Sequence, residues 1–121
     1  DIDEKGSWIV FADDTSFRLV SISTRKTYFL EKNVGRNRVI TDVRLLEGNK
    51  FAVVTGSESF NKNARIYNRP EISVYSFSGN VLFREKFSSD YSYTGRLLTS
   101  ADGSIIGIVL QNRFITIRNK N

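Results

Sequence analysis

The 121-residue chain predicts an all-β fold built of antiparallel four-stranded repeat units. Three observations carry that expectation. Apolar residues come in short continuous blocks or in strict alternation, and helical spacing is nearly absent. The blocks are rich in Val, Ile, Phe and Tyr, the residues that suit a pleated, packed surface. A block followed by an alternating segment then occurs three times. The blocks are Trp8-Ile9-Val10-Phe11-Ala12, Phe51-Ala52-Val53-Val54 and Ile105-Ile106-Gly107-Ile108-Val109-Leu110. Their alternating partners are Phe17-Arg18-Leu19, Ile72-Ser73-Val74 and Ile115-Thr116-Ile117. A continuous block suits a strand covered on both faces.

The elements follow in order within a single domain, 1–121, made of three repeats at about 7–34, 36–88 and 94–121. The first repeat opens on the block at Trp8, turns through Asp13-Asp14-Thr15-Ser16, returns through Phe17 to Leu19 and closes on a polar outer strand, Thr27 to Leu30. The second starts with an innermost strand, Val39 to Leu46, and turns at Glu47-Gly48-Asn49-Lys50 into the block at Phe51. It continues through 72–77, turns at Ser78-Gly79-Asn80, and ends in an outer strand, Val81 to Phe87. The third begins with Arg96 to Thr99, turns at Ala101-Asp102-Gly103-Ser104, and links its last two strands through Gln111-Asn112-Arg113. Gly, Asn, Asp and Ser at these links are the residues that tight turns require. The one proline, Pro70, is expected in a loop, which leaves the ladder donors intact.

Aligned at the starts of the blocks, Trp8 and Phe51 lie 43 residues apart, and Phe51 and Ile105 lie 54 apart. The excess falls in 57–70, between a block and its alternating partner, where the other repeats have only a short link. Removing about ten residues there restores a period in the low forties, the spacing of four-stranded propeller blades.

The stretch Ile72-Ser-Val-Tyr-Ser-Phe-Ser-Gly-Asn-Val-Leu-Phe-Arg, followed by Leu97-Leu-Thr-Ser-Ala-Asp-Gly-Ser-Ile-Ile-Gly-Ile-Val, resembles the WD40-like and quinoprotein-like β-propeller superfamily. In such blades a Ser-x-Asp-Gly turn links the first two strands and a Gly-Asn or Gly-Lys turn the last two. Ser100-Ala101-Asp102-Gly103 and Gly79-Asn80 match them. The resemblance implies architecture alone, because the Trp-Asp dipeptide and Gly-His pair of strict WD40 repeats are missing. The pattern of quinone-cofactor blades is missing as well, so no cofactor is implied. The chain holds about two and three-quarter blades, whereas a closed ring typically has four or more. Three arrangements stay open: a propeller-like segment of something longer, an open β-sandwich or stack of sheets, and a small ring completed by self-assembly. In any open arrangement the end strands offer unpaired backbone groups to a partner.

Composition narrows the chemistry. With no His and no Cys, the usual general base, the thiol nucleophile and most transition-metal sites are excluded. Carboxylate pairs remain, and Asp13, Asp14, Glu58, Glu71, Asp90 and Asp102 are the candidates; a turn role is the expectation for Asp13, Asp14 and Asp102. No run places acids as a calcium loop needs, and Gly35 and Gly56 stand alone rather than in a phosphate loop. The reading is a non-enzyme without catalytic residues, metal or cofactor. No stretch approaches the apolar length of a membrane span. A start at Asp1 and the absence of Met lead us to expect a processed chain or a domain of a longer protein. Together with the lack of Cys, this tilts the expectation toward an extracytoplasmic setting.

Propeller-type topology would place the insertion 57–70 on one face with the inter-repeat links 33–38 and 88–93. The partner-binding residues expected on that face are Arg36, Arg38, Lys62, Arg65, Tyr67, Arg69, Tyr91 and Tyr93. Arg and Tyr dominate interface hot spots because they combine area with fixed hydrogen-bond geometry. The opposing reading makes the insertion a self-packed loop, or a hairpin over an edge, held by Phe60, Ile66 and Tyr67. The function expected is a binding or assembly module presenting a basic, tyrosine-bearing face to a protein or an acidic glycan. Its alternative is a structural subunit of a larger β assembly that docks or polymerises through unpaired end strands. A net charge of +5 favours acidic partners. Basic residues scattered among acids argue against nucleic acid.

Overall fold

A computed structural model describes residues 1–2, 5–32, 38–87, 92–93, 95–100, 104–110 and 113–118. Among them every regular element is a strand. β1 (Trp8–Ala12), β2 (Ser16–Ser21) and β3 (Thr27–Lys32) form a three-stranded antiparallel sheet in that order. β4 (Arg38–Leu46), β5 (Lys50–Asn61), β6 (Ala64–Ser76) and β7 (Val81–Lys86) form a four-stranded antiparallel meander. β8 (Ser92–Tyr93) joins β6 to β10 (Ile105–Leu110), and β10 also pairs with β9 (Leu98–Thr99) and β11 (Arg113–Arg118).

Local chemistry sets the turns. Asp13 Oδ1 accepts the amides of Thr15 at 2.9 Å and Ser16 at 2.8 Å, which closes the β1–β2 link and lowers the Asp13 pKa. Gly48 and Asn49 turn β4 into β5 with φ of 82° and 57°, the left-handed region open to Gly and Asn.

The middle sheet explains the continuous block. Phe51 and Val53 point to one side, where they meet Val10, Phe17 and Leu19 of the first sheet. Ala52 and Val54 point to the other, where they meet Leu97, Ile106 and Ile108. Both faces of the Phe51–Val54 stretch of β5 are therefore covered, and no polar residue interrupts that stretch. Aromatic packing closes the first interface, with Phe51 stacked on Tyr75 at 5.3 Å and Phe17 edge-on to Phe51 at 5.7 Å.

The first sheet and the β5–β7 hairpins share several local features. Ser21 donates its amide to the Lys26 carbonyl and Ser76 donates to Asn80. The side chains of Ser21 and Ser23 share a hydrogen bond, as do those of Ser76 and Ser78. Ile22 donates to Ser7 and Phe77 to Asn49. A register shift falls between Leu19 and Val20 in one sheet and between Val74 and Tyr75 in the other. These matches make Ile9 the equivalent of Phe51.

At the start of β10 Ser100 donates to Ile105, and Ile106 and Ile108 are the pair buried toward β5, which gives Ile106 the position that Phe51 has in β5. Alignment at the block starts, Trp8 and Ile105, is thus off by one residue at each end. Block starts mark where apolarity begins, whereas equivalence is set by which alternate residues face the neighbour.

Two further departures from expectation concern Pro70 and the edge of β1. Pro70 lies inside β6 rather than in a loop. The inner edge of β1 is engaged by the chain itself: Ile2 bridges to Ile9, the Asp1 amino group donates to the Val10 carbonyl at 2.6 Å, and Val10 donates back to Asp1.

Candidate functional site

The insertion becomes a continuation of the β5–β6 pair. Thr55 pairs with Glu71 and Ser57 with Asn68, so Arg69 and Pro70 together face Gly56 in a β-bulge. Arg69 accommodates the extra residue with φ of 53°, and Pro70, buried, brings no amide to a position where the ladder is interrupted. Beyond the bulge, Ser57 to Asn61 pair with Ala64 to Asn68 as a two-stranded ribbon. Lys62 and Asn63, with φ of 51° and 69°, close it in a two-residue turn whose twist matches that of the strands.

Arg38 clamps the bulge. Its guanidinium donates to the Thr55 hydroxyl and carbonyl at 3.0 to 3.2 Å and to the Arg69 carbonyl at 2.8 Å. The planar fork reaches both strands at once, which a lysine could not do.

Tyr93 anchors the base of the ribbon. Tyr67 and Asn68 pair with Tyr93 and Ser92, and Tyr93 pairs with Leu110. The Tyr93 side chain is only 6% exposed, and its hydroxyl shares a 2.9 Å hydrogen bond with Thr41. Thr41 is available because it is the bulged residue between the Ile40–Thr55 and Asp42–Val54 pairs. Burial pushes the Tyr93 phenol up to about 12, against a smaller lowering by the Thr41 hydrogen bond. Gly56 leaves the room this ring needs, since a Cβ there would stand 2.9 Å from ring atoms Cε1 and Cζ. Tyr67 lies against Tyr93 with centroids 6.1 Å apart and closes over Gly95.

Nearby, Asp42 accepts the Leu97 amide at 2.8 Å through Oδ2 and the Arg44 guanidinium at 3.3 Å, tying β4 to the third repeat.

The ribbon's far end is different in kind. Cross-strand pairing places Glu58, Phe60, Arg65 and Tyr67 on one ribbon face. The Arg65 guanidinium lies 6.0 Å over the Phe60 ring and 3.6 Å from Glu58. Its pKa is raised by a side-chain hydrogen bond to Tyr67 and by the Glu58 charge. Phe60 is 65% exposed, Lys62 and Arg65 are exposed near it, and Arg69 is exposed at the bulge.

The expected site residues therefore divide. Arg38, Tyr67 and Tyr93 converge on the base of the ribbon and form its framework. Lys62, Arg65 and Arg69 reach solvent. Arg36 and Tyr91 lie outside the described residues. Phe60 is the functional candidate that sequence reasoning assigned to packing; its signal was the two-residue spacing from Glu58, which puts both on one face of a strand.

Three of the carboxylates considered for chemistry, Glu71, Glu58 and Asp13, have other engagements. Glu71 meets Arg84 at 3.2 Å and Lys86 at 3.9 Å, Glu58 meets Arg65, and Asp13 holds its turn; Asp90 and Asp102 lie outside the described residues. Among the described residues no helix is long and apolar enough to cross a membrane. No protein-family model matches the chain, and neither a curated protein nor a solved structure matches it.

Proposed function

We propose that this chain is a non-catalytic binding module of propeller-like blades, whose β5–β6 ribbon inserts Phe60 into a protein partner of acidic surface. The carrying observation is the tip itself: an exposed aromatic ring with the Arg65 guanidinium over it and Lys62 at the turn. An aromatic anchor ringed by cations supplies buried area at the centre and steering at the rim. The matching bulges and Ser-x-Ser turns of the first two repeats support the blade reading. An acidic glycan is the second partner class that such a tip would accept, and an extracytoplasmic setting suits both.

Retention on immobilised polyglutamate and on heparin tests this reading. The wild-type chain is expected to be retained, more strongly on polyglutamate, and to elute with salt. Phe60→Ala combined with Arg65→Ala should elute early from the same column. Equal retention of wild type and variant would remove the tip from the function, and stronger retention on heparin would move the partner to the glycan class.

A further inference from the structure

Tyr67 belongs to both halves of the ribbon. Its backbone pairs with Tyr93, its ring centroid lies 6.1 Å from that of Tyr93, and it covers Gly95, where a Cβ would stand 3.2 Å from ring atoms Cδ2 and Cε2. The ring is therefore held by the framework. Its hydroxyl, at the far end of that fixed ring, accepts a hydrogen bond from the Arg65 side chain, two residues along on the same ribbon face.

Arg65 is thereby bounded on three sides. Phe60, its cross-strand partner, lies with its ring centroid 6.0 Å from the guanidinium, Glu58 stands 3.6 Å from Nε, and Tyr67 takes a hydrogen bond. A guanidinium carries five N–H donors in a planar fork, more than these neighbours can take, and 54% of the side chain is exposed. The outer edge of the fork is left for a ligand. An unsupported surface arginine loses its rotamer freedom only when a partner arrives, whereas this one has lost much of it on folding.

The charge balance selects the ligand. At the tip Lys62 and Arg65 stand against one carboxylate, Glu58, so little net charge remains to hold a polyanion. What the tip offers instead is direction. A planar fork beside an exposed ring complements one planar carboxylate next to an apolar group.

We propose, building on the reading of the tip as a binding surface, that Tyr67 is its positioning residue. Its hydroxyl holds Arg65 over Phe60 so that the outer edge of the fork takes a single Asp or Glu side chain of the protein partner through two parallel hydrogen bonds. Tyr67 acts through Arg65 and not on the partner.

Titrations with soluble polyglutamate and with heparin test this assignment. Tyr67→Phe keeps the ring against Tyr93 and should weaken polyglutamate binding about fivefold, the worth of one hydrogen bond, with an unchanged thermal melt. Arg65→Lys keeps the charge and should weaken it as much or more, while heparin binding, which reads charge, changes less than about twofold. The double variant should bind like Arg65→Lys alone. In the free protein the heteronuclear NOE of the Arg65 Nε–Hε group should fall in Tyr67→Phe. Equal polyglutamate binding by wild type and Tyr67→Phe, or an additive loss in the double variant, would overturn the role of Tyr67. Equal losses on heparin and polyglutamate would overturn the carboxylate. A wild type that binds no polyglutamate at all sinks instead the reading of the tip on which the carboxylate rests, and the NOE then decides the positioning by itself.

Discussion

The hydroxyls of Tyr93 and Thr41 share a 2.9 Å hydrogen bond across the base of the projecting ribbon, joining β8 to the bulge of β4. Two irregularities meet there: a bulge that frees Thr41 from the ladder and a glycine, Gly56, that admits the Tyr93 ring.

Tyr93→Phe keeps the ring and removes the hydroxyl. At pH 7 it should cost about 1 kcal/mol, one neutral hydrogen bond with Thr41 left to find another partner. The phenol titrates near 10.0 when unfolded and at about 12 when folded, so the unfolded state releases its proton first. The wild type therefore loses stability as pH rises from 10 toward 12, at up to about 1.4 kcal/mol per unit, and the variant lacks that loss. Urea melts of both proteins from pH 7 to 11.5 should converge and then cross; parallel curves would refute the assignment.

Gly56→Ala places a methyl against the Tyr93 ring, which is held on its far side by the core. The expected loss is about 1 to 3 kcal/mol. Tyr93→Phe removes the hydroxyl, the atom nearest to the added methyl, but retains Cε1 and Cζ and should give partial relief, whereas Tyr93→Leu should make Gly56→Ala much less costly. A double-mutant cycle on these two positions measures the coupling.

Arg38→Lys retains the charge and loses the fork that spans Thr55 and Arg69. We expect a loss of about 1 to 2 kcal/mol, as for hydrogen bonds from a charged donor. Its location is the sharper test. Hydrogen exchange should accelerate at Ser57 to Asn68 and stay unchanged in β1 and β2.

Phe51→Ala and Phe60→Ala should behave oppositely. Phe51 is enclosed between Phe17 and Tyr75, and its truncation should cost about 3 to 5 kcal/mol. Phe60 is 65% exposed with Arg65 over its ring, and its loss should stay within about 0.5 kcal/mol while retention on acidic matrices falls. Thermal melts of the two variants decide it.

Much of the frame was legible. The strand at Val39 to Leu46, the block at Phe51 and the outer strand from Val81 fall where periodicity and turn residues placed them, because alternation and turn chemistry are local properties. Pro70 was misplaced because a bulge inside a strand leaves no local mark beyond the proline itself. The one-residue slip in aligning Trp8 and Ile105 with Phe51 arose because a block open to solvent on one side looks, in sequence, like one covered on both. Phe11 is as apolar as Val53, and only the neighbouring sheet distinguishes them.

The site divides along the same line. That 57–70 is an insertion rich in Arg, Lys and Tyr could be counted along the chain. That Arg38 and Tyr93 brace it, while Phe60 and Arg65 leave it, was decided by two bulges and a glycine that bring residues 38, 56, 69 and 93 together. The sequence by itself determined an all-β chain of antiparallel strands, since that follows from residue-by-residue patterning, and counting along it located the extra residues at 57–70. Which aromatic is framework and which is free to meet a partner was settled only by tertiary packing, because burial is a property of what lies opposite a side chain and not of the side chain.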